Sequence, residues 1–184
     1  MIRSLIIYAV NIHEGGGKTL LSDLIKVIPQ ELSITLFVDA RFDLAIVPKT
    51  FKVIEINPSV IGRLSAEIKL YLKVKKDDLI LCFGNLPPIF KLTGHTILYC
   101  QNRFLVDKIS LTSSPIKTRM RIAVERVWLS LMISNVDSII VQTPSMRQLV
   151  EKIVKSKLIP IRILPFINNR NNFKRENNHK PEGA

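Results

Sequence analysis

Seven short runs of this chain are rich in β-branched and aliphatic residues, and most are apolar without interruption: 2–9, 34–38, 52–56, 79–83, 96–100, 138–142 and 161–164. A strand covered on one face alternates apolar and polar side chains. A strand covered on both faces has no polar positions to show. Between these runs the apolar spacing lengthens to three and four residues, the period of a helix. Doubly covered strands separated by helices predict an α/β fold with a doubly wound, mostly parallel sheet of about seven strands. The 184 residues suffice for one such domain and exclude a second full one.

The helices have readable phases. Thr143 and Pro144 supply a cap and a first-turn proline, after which Met146, Leu149, Val150, Ile153 and Val154 recur at helical spacing. A helix over 18–28 carries the stripe Leu20, Leu21, Leu24, Ile25 and Ile28, and another over 59–74 follows the turn signal Asn57-Pro58. The longest, over 117–134, repeats Met120, Ala123, Val124, Val127, Trp128, Leu131 and Met132 along one face, which is expected to meet the core. From Asn168 the chain becomes Asn-rich and polar without periodicity. The folded unit is therefore expected over 1–167, with 168–184 a linker or loose tail.

In an open parallel sheet, ligands bind beyond the carboxyl ends of the strands. Three loops at such ends carry unusual residues. In the first, Gly15, Gly16 and Gly17 precede a helix, so main chain can approach a ligand with no Cβ in the way. Gly17-Lys18-Thr19 also raises a phosphate-loop reading with Lys18 and Thr19 as nucleotide contacts. That motif needs glycine where Ile12 stands, so the match is partial. A dinucleotide fingerprint fails at Leu20, although Asp39 ends the second strand at a tolerable place for a ribose contact. The second loop runs from Phe83 through Gly84 and Asn85 to Pro87 and Pro88. The third is Gln101-Asn102-Arg103. Amides both donate and accept, which suits sugar hydroxyls, while Arg103 can hold a phosphate or carboxylate.

Lysine and arginine number 27 against 15 acidic residues, a net charge of +12, which predicts an anionic partner. Lys117, Arg119, Arg121 and Arg126 crowd the amino-terminal part of the long helix, where the helix dipole opposes cations, and so imply an external anion or a neighbouring acid. Aromatic residues are not interleaved with these cations, so no stacking platform for nucleic acid is read. An acidic membrane surface fits better. Cys82 and Cys100 lie in apolar runs and read as reduced core thiols in a cytoplasmic setting. His13, His95 and His179 are widely separated without acidic or thiol partners at ligand spacing, so no metal site is read.

The order HEGGGKTLL, LILCFGNLPP, YCQNRF, a basic helix around Val127-Trp128, VDSIIVQTPSMRQLV and ILPF resembles the amino-terminal half of a family-four glycosyltransferase with the two-domain GT-B architecture. The resemblance runs from about Ile2 to Phe166 and is most specific over the strand-cap-helix unit 136–150. It implies a Rossmann-like domain that binds a sugar or lipid-linked sugar acceptor, with a second domain holding the nucleotide-sugar co-substrate. Many such enzymes are peripheral on the inner face of the plasma membrane and build envelope polysaccharide or lipopolysaccharide. On this resemblance Gly15, Gly16 and Gly17 match the family's glycine loop, the stretch from Asn85 to Pro88 matches a second cleft loop, and Gln101 or Asn102 stands where many members carry a histidine. An amide there can hydrogen-bond but cannot exchange a proton near neutral pH. The sequence stops at Ala184 without a counterpart of the family's paired glutamates or its diphosphate-binding cations. The expectation is that this polypeptide needs a separate donor-domain chain for turnover, or is a truncated product. A small phosphate-loop protein, or a non-catalytic basic module binding membrane or nucleic acid, are the competing expectations.

Overall fold

A computed structural model describes residues 4–29, 31–107, 109–112, 114–154 and 158–165. Strand β1 (Ser4–Ala9) leads to helix α1 (Gly15–Val27), then β2 (Ser33–Asp39), β3 (Lys52–Ile56), helix α2 (Val60–Lys73), β4 (Asp78–Cys82) and β5 (His95–Cys100). A short helix α3 (Arg103–Val106) and the long α4 (Ile116–Met132) precede β6 (Ser138–Val141), α5 (Pro144–Val154) and β7 (Ile161–Ile163). All seven strands pair in parallel, in the order β3-β2-β1-β4-β5-β6-β7. The fold is the expected Rossmann-like, doubly wound α/β sheet.

The uninterrupted apolar character of the strands follows from their double burial. On one face of β1, Ile6 and Tyr8 join a core with Ala66 and Leu70 of α2, Ile122 and Leu129 of α4, and Met146 and Val150 of α5. On the other, Ile7 and Ala9 pack with Leu21 and Ile25 of α1, so the stripe assigned to that helix faces the sheet as expected. Cys82 and Cys100 are buried free thiols, and burial pushes Cys100 up to about 12 and Cys82 upward as well.

Three expectations are corrected. The triple glycine is not a loop: α1 starts at Gly15, one turn earlier than the apolar stripe implied, and Gly15 itself makes the entry bend at φ 65°. Of Gln101-Asn102-Arg103, the first two form the loop but Arg103 opens α3, which Asn102 caps by accepting from Phe104 N–H at 3.1 Å. The largest change concerns α4. Met120, Val124, Val127 and Leu131 point to solvent at 58–65% exposure, and Ala123 is exposed too. The face that meets the core carries Ile122 and Leu129, with Trp128 half-buried beside them. The proposed boundary at 167 and the polar tail lie outside the described residues.

Candidate functional site

The strand order reverses between β1 and β4, so the segments following these two strands diverge and leave a crevice at their carboxyl ends. A cleft of about 510 Å³ lies there, walled by Asn11, His13, Gly16 and Gly17 on one side and by Gly84, Asn85, Gln101 and Asn102 on the other. Arg121 and Glu125 of α4 and Gln142 after β6 close its far end.

The two loops are stitched together at their base. Asn11 Nδ2 donates to the Gly84 carbonyl at 2.7 Å, and a Cβ on Gly84 would fall 1.7 Å from Asn11 Oδ1. Only glycine fits there. Asn85 adopts φ 66°, a left-handed conformation that asparagine tolerates better than most residues. Its Oδ1 accepts from the N–H groups of both Gln101 and Asn102, at 2.7 and 2.9 Å. That oxygen therefore aligns the third loop, and the Asn85 amide NH2 is what remains to meet a ligand.

The second loop is also held from behind. Trp128 Nε1 donates to Pro87 O at 2.9 Å, and Asn135 Nδ2 donates to the carbonyls of Pro88 and Ile89 at 3.0 and 2.8 Å. Glu67 on α2 accepts from Ile89 N–H at 2.9 Å through one oxygen and from Tyr8 Oη at 2.8 Å through the other. Glu67 is buried, and desolvation raises its carboxyl above the usual range against the pull of those donors.

The first turn of α1 has no side-chain cap, because Glu14 precedes it in extended conformation without bonding back. Its leading N–H groups thus have no intrahelical acceptor and stand next to Gly16 and Gly17 in the cleft wall. Gly17 is close-packed, since a Cβ there would meet Ile12 Cδ1 at 2.9 Å and Gln101 Nε2 at 3.5 Å. Lys18 and Thr19 do not line the cleft, and Ile12 is buried where a phosphate loop requires glycine.

Of the residues singled out from sequence, Gly16, Gly17, Asn85, Gln101, Asn102 and Arg121 converge on this cleft. Gly15 turns the chain into it without lining it. Arg103 pairs with Asp107 at 2.9 Å on the exposed side of α3. Arg126 donates to the carbonyls of Phe104 and Asp107 at 2.8 and 2.7 Å, so its guanidinium fastens α4 to the end of α3. Lys117 and Arg119 are exposed and outside the cleft.

Glu67, Glu125 and Gln142 were not anticipated; Asn11 and His13 belong to the first loop, 11–19, of which only the glycines were assigned to the site. Asn11 carries a weak sequence signal, a polar residue directly after an apolar strand. Glu67 carries none, because nothing local distinguishes an inward carboxylate on α2 from a solvated one. Gln142 Nε2 donates to Tyr99 Oη at 2.7 Å, and Tyr99 stacks on Phe83 at 4.9 Å, which holds that amide at the cleft end.

Fold and cleft together define a Rossmann-like domain with a crevice at its topological switch point. No family model matches the chain, and no curated protein matches it. No helix among the described residues is long and apolar enough to cross a membrane.

Proposed function

We propose that this domain is the acceptor-binding half of a nucleotide-sugar-dependent glycosyltransferase, with the carbohydrate lying between the first turn of α1 and the loops after β4 and β5. The observation that carries this reading is the lining of the cleft: bare main chain at Gly16 and Gly17 faces the amides of Asn85, Gln101, Asn102 and Gln142. Amides and helix N–H groups match a mixed array of hydroxyl donors and acceptors, and no thiol or hydroxyl nucleophile stands among them. The wall that would neutralise a departing nucleoside diphosphate is assigned to a separate donor-binding unit.

Saturation-transfer NMR with simple hexoses tests this. Gln101→Ala is expected to weaken hexose binding about tenfold, as the loss of one or two ligand hydrogen bonds would. Hexoses that give no saturation transfer, or transfer that Gln101→Ala leaves intact, would sink the reading.

The outer face of α4 supports docking on an acidic membrane surface. Ile116, Met120, Val124, Val127 and Leu131 are each more than half exposed and lie within an arc of about 80° at helical spacing. Lys117 flanks that arc on one side and Arg119 on the other, the arrangement of an interfacial helix with snorkelling cations. Double substitution Val124→Asp/Val127→Asp is expected to cut co-sedimentation with phosphatidylglycerol vesicles at least tenfold. Because both side chains are exposed, stability should change by no more than about 0.5 kcal/mol each. Undiminished vesicle binding would remove α4 from the docking surface.

A further inference from the structure

The cleft has a second arm. Beyond His13 it continues over the carboxyl ends of β1, β2 and β3 as a hollow of about 320 Å³, walled by Arg41, Arg63, Arg121, Glu125 and the start of α2 at Ser59 and Val60. Asn11, His13, Arg121 and Glu125 belong to both arms, so one ligand can occupy the two.

The three arginines are not equivalent. Arg41 is committed to the buried carboxylate of Asp39, donating through Nε at 2.8 Å and through a terminal nitrogen at 2.7 Å. That hydrogen-bonded guanidinium holds Asp39 below the usual carboxylate range. Arg63 lies over the Trp128 ring at 5.9 Å, and neither the Arg63 nor the Arg121 guanidinium makes a hydrogen bond or close ion pair among the described residues. Their counter-charge is Glu125, half-buried on α4, whose carboxyl is raised by desolvation and lowered by both arginines acting at a distance. Two guanidinium groups projecting from different helices therefore face one hollow with their donors available; Glu125 and the Arg41-bound Asp39 share its lining, and Glu67 lies within electrostatic reach of Arg63.

We infer that this arm binds a phosphate group, carried by the same ligand whose hydroxyl-bearing part fills the main cleft. A planar carboxylate is satisfied by one bidentate arginine fork. Two forks from separate helices, with Val60 at the start of α2 in the same lining, suit an oxyanion that presents oxygens in several directions. His13, at the junction of the arms, sits 3.2 Å from an Arg41 nitrogen through Nδ1. The phosphate site stands on the geometry of this arm alone. Its connection to a carbohydrate rests on the function proposed above.

The test is a titration of the 15N-labelled chain with inorganic phosphate, followed in amide correlation spectra. Saturating shifts are expected at His13, Val60 and Ile61. Arg63→Gln and Arg121→Gln should each weaken phosphate binding about tenfold. Glu125→Gln removes the competing charge and should tighten it several-fold, while Lys152→Gln on α5 should leave it unchanged. Parent-like spectra before titration establish that each variant folds. Absence of saturation, Arg63→Gln and Arg121→Gln binding like the parent, or Glu125→Gln binding no tighter, each overturns the site.

Glucose 1-phosphate, compared with glucose and with phosphate, separates the two claims. Phosphate binding with the expected variant pattern, but no gain for glucose 1-phosphate, upholds the arm and defeats the carbohydrate reading. Glucose binding without phosphate binding does the reverse. Phosphatidylglycerol vesicles then assign the source: retention lost in Arg63→Gln places the phosphate on a lipid headgroup, and retention kept places it on a soluble ligand.

Discussion

Gly84→Ala is expected to lose both the cleft and a large part of the domain's stability. A methyl group at this position collides with Asn11 Oδ1, Cγ and Nδ2, the nearest at 1.7 Å, and the same amide donates to the Gly84 carbonyl. Asn11 must swing away, so overpacking adds to a lost hydrogen bond, at about 2–4 kcal/mol together. For a chain of this size that lowers the thermal midpoint by about 5–15 °C. Since all three close contacts come from one side chain, Asn11→Ala should relieve the collision. In a double-mutant cycle the pair is expected to be more stable than Gly84→Ala alone. Additive effects would show that the strain lies in the backbone instead.

Glu67→Ala should be nearly as damaging, whereas Glu67→Gln should be tolerated. Alanine strands the Tyr8 hydroxyl and the Ile89 N–H, both bonded to Glu67, at a cost of about 3 kcal/mol. The loop that carries Asn85 then loses its hold on α2. Glutamine keeps both bonds if its carbonyl accepts from Ile89 and its amide donates to the Tyr8 oxygen.

The pH dependence separates these variants. Desolvation raises the folded-state pKa of Glu67 above its unfolded value, so its contribution favours folding at low pH and is lost as pH rises through the folded value. Glu67→Gln abolishes that slope, and its stability relative to the parent should rise as pH climbs above about 4.5. Urea midpoints measured from pH 4 to 8 provide the check, and a difference constant with pH would contradict it.

Asp39 and Asp137 act with the opposite sign. Asp39 is lowered chiefly by its hydrogen bonds from the Arg41 side chain. At Asp137 burial pushes upward, but Lys91 and the Thr96 N–H overcome it. Both contribute stability that is present above the ordinary aspartate pKa and disappears as pH falls through the lowered folded values. They shape the acid limb of unfolding, with a slope opposite in sign to that of Glu67.

The strands were legible because a doubly buried strand leaves an unambiguous composition. Lys52–Ile56 was bounded correctly from sequence, and the other strands within a residue or two over the part described. The helix start at Gly15 was not legible. Glycine is a poor helix former, and the entry depends on a φ 65° bend that several residue patterns would allow. In α4 the error has a different origin. The helix bears two apolar stripes, one through Ile122 and Leu129 and one through Met120, Val124, Val127 and Leu131. Periodicity finds both and selects the richer one. The sheet receives the poorer, because Trp128 and Arg126 must reach Pro87, Phe104 and Asp107 and thereby set the rotation of the helix.

Local composition and spacing were enough to determine a parallel, doubly covered sheet and the strand ends where a ligand could lie, since burial on two faces acts on every residue of a strand independently of its partners. Which polar side chains face that ligand was decided only by the tertiary structure. Asn11 meets Gly84 and Glu67 meets Ile89 across 73 and 22 positions of chain, and no local pattern encodes a contact made at that separation.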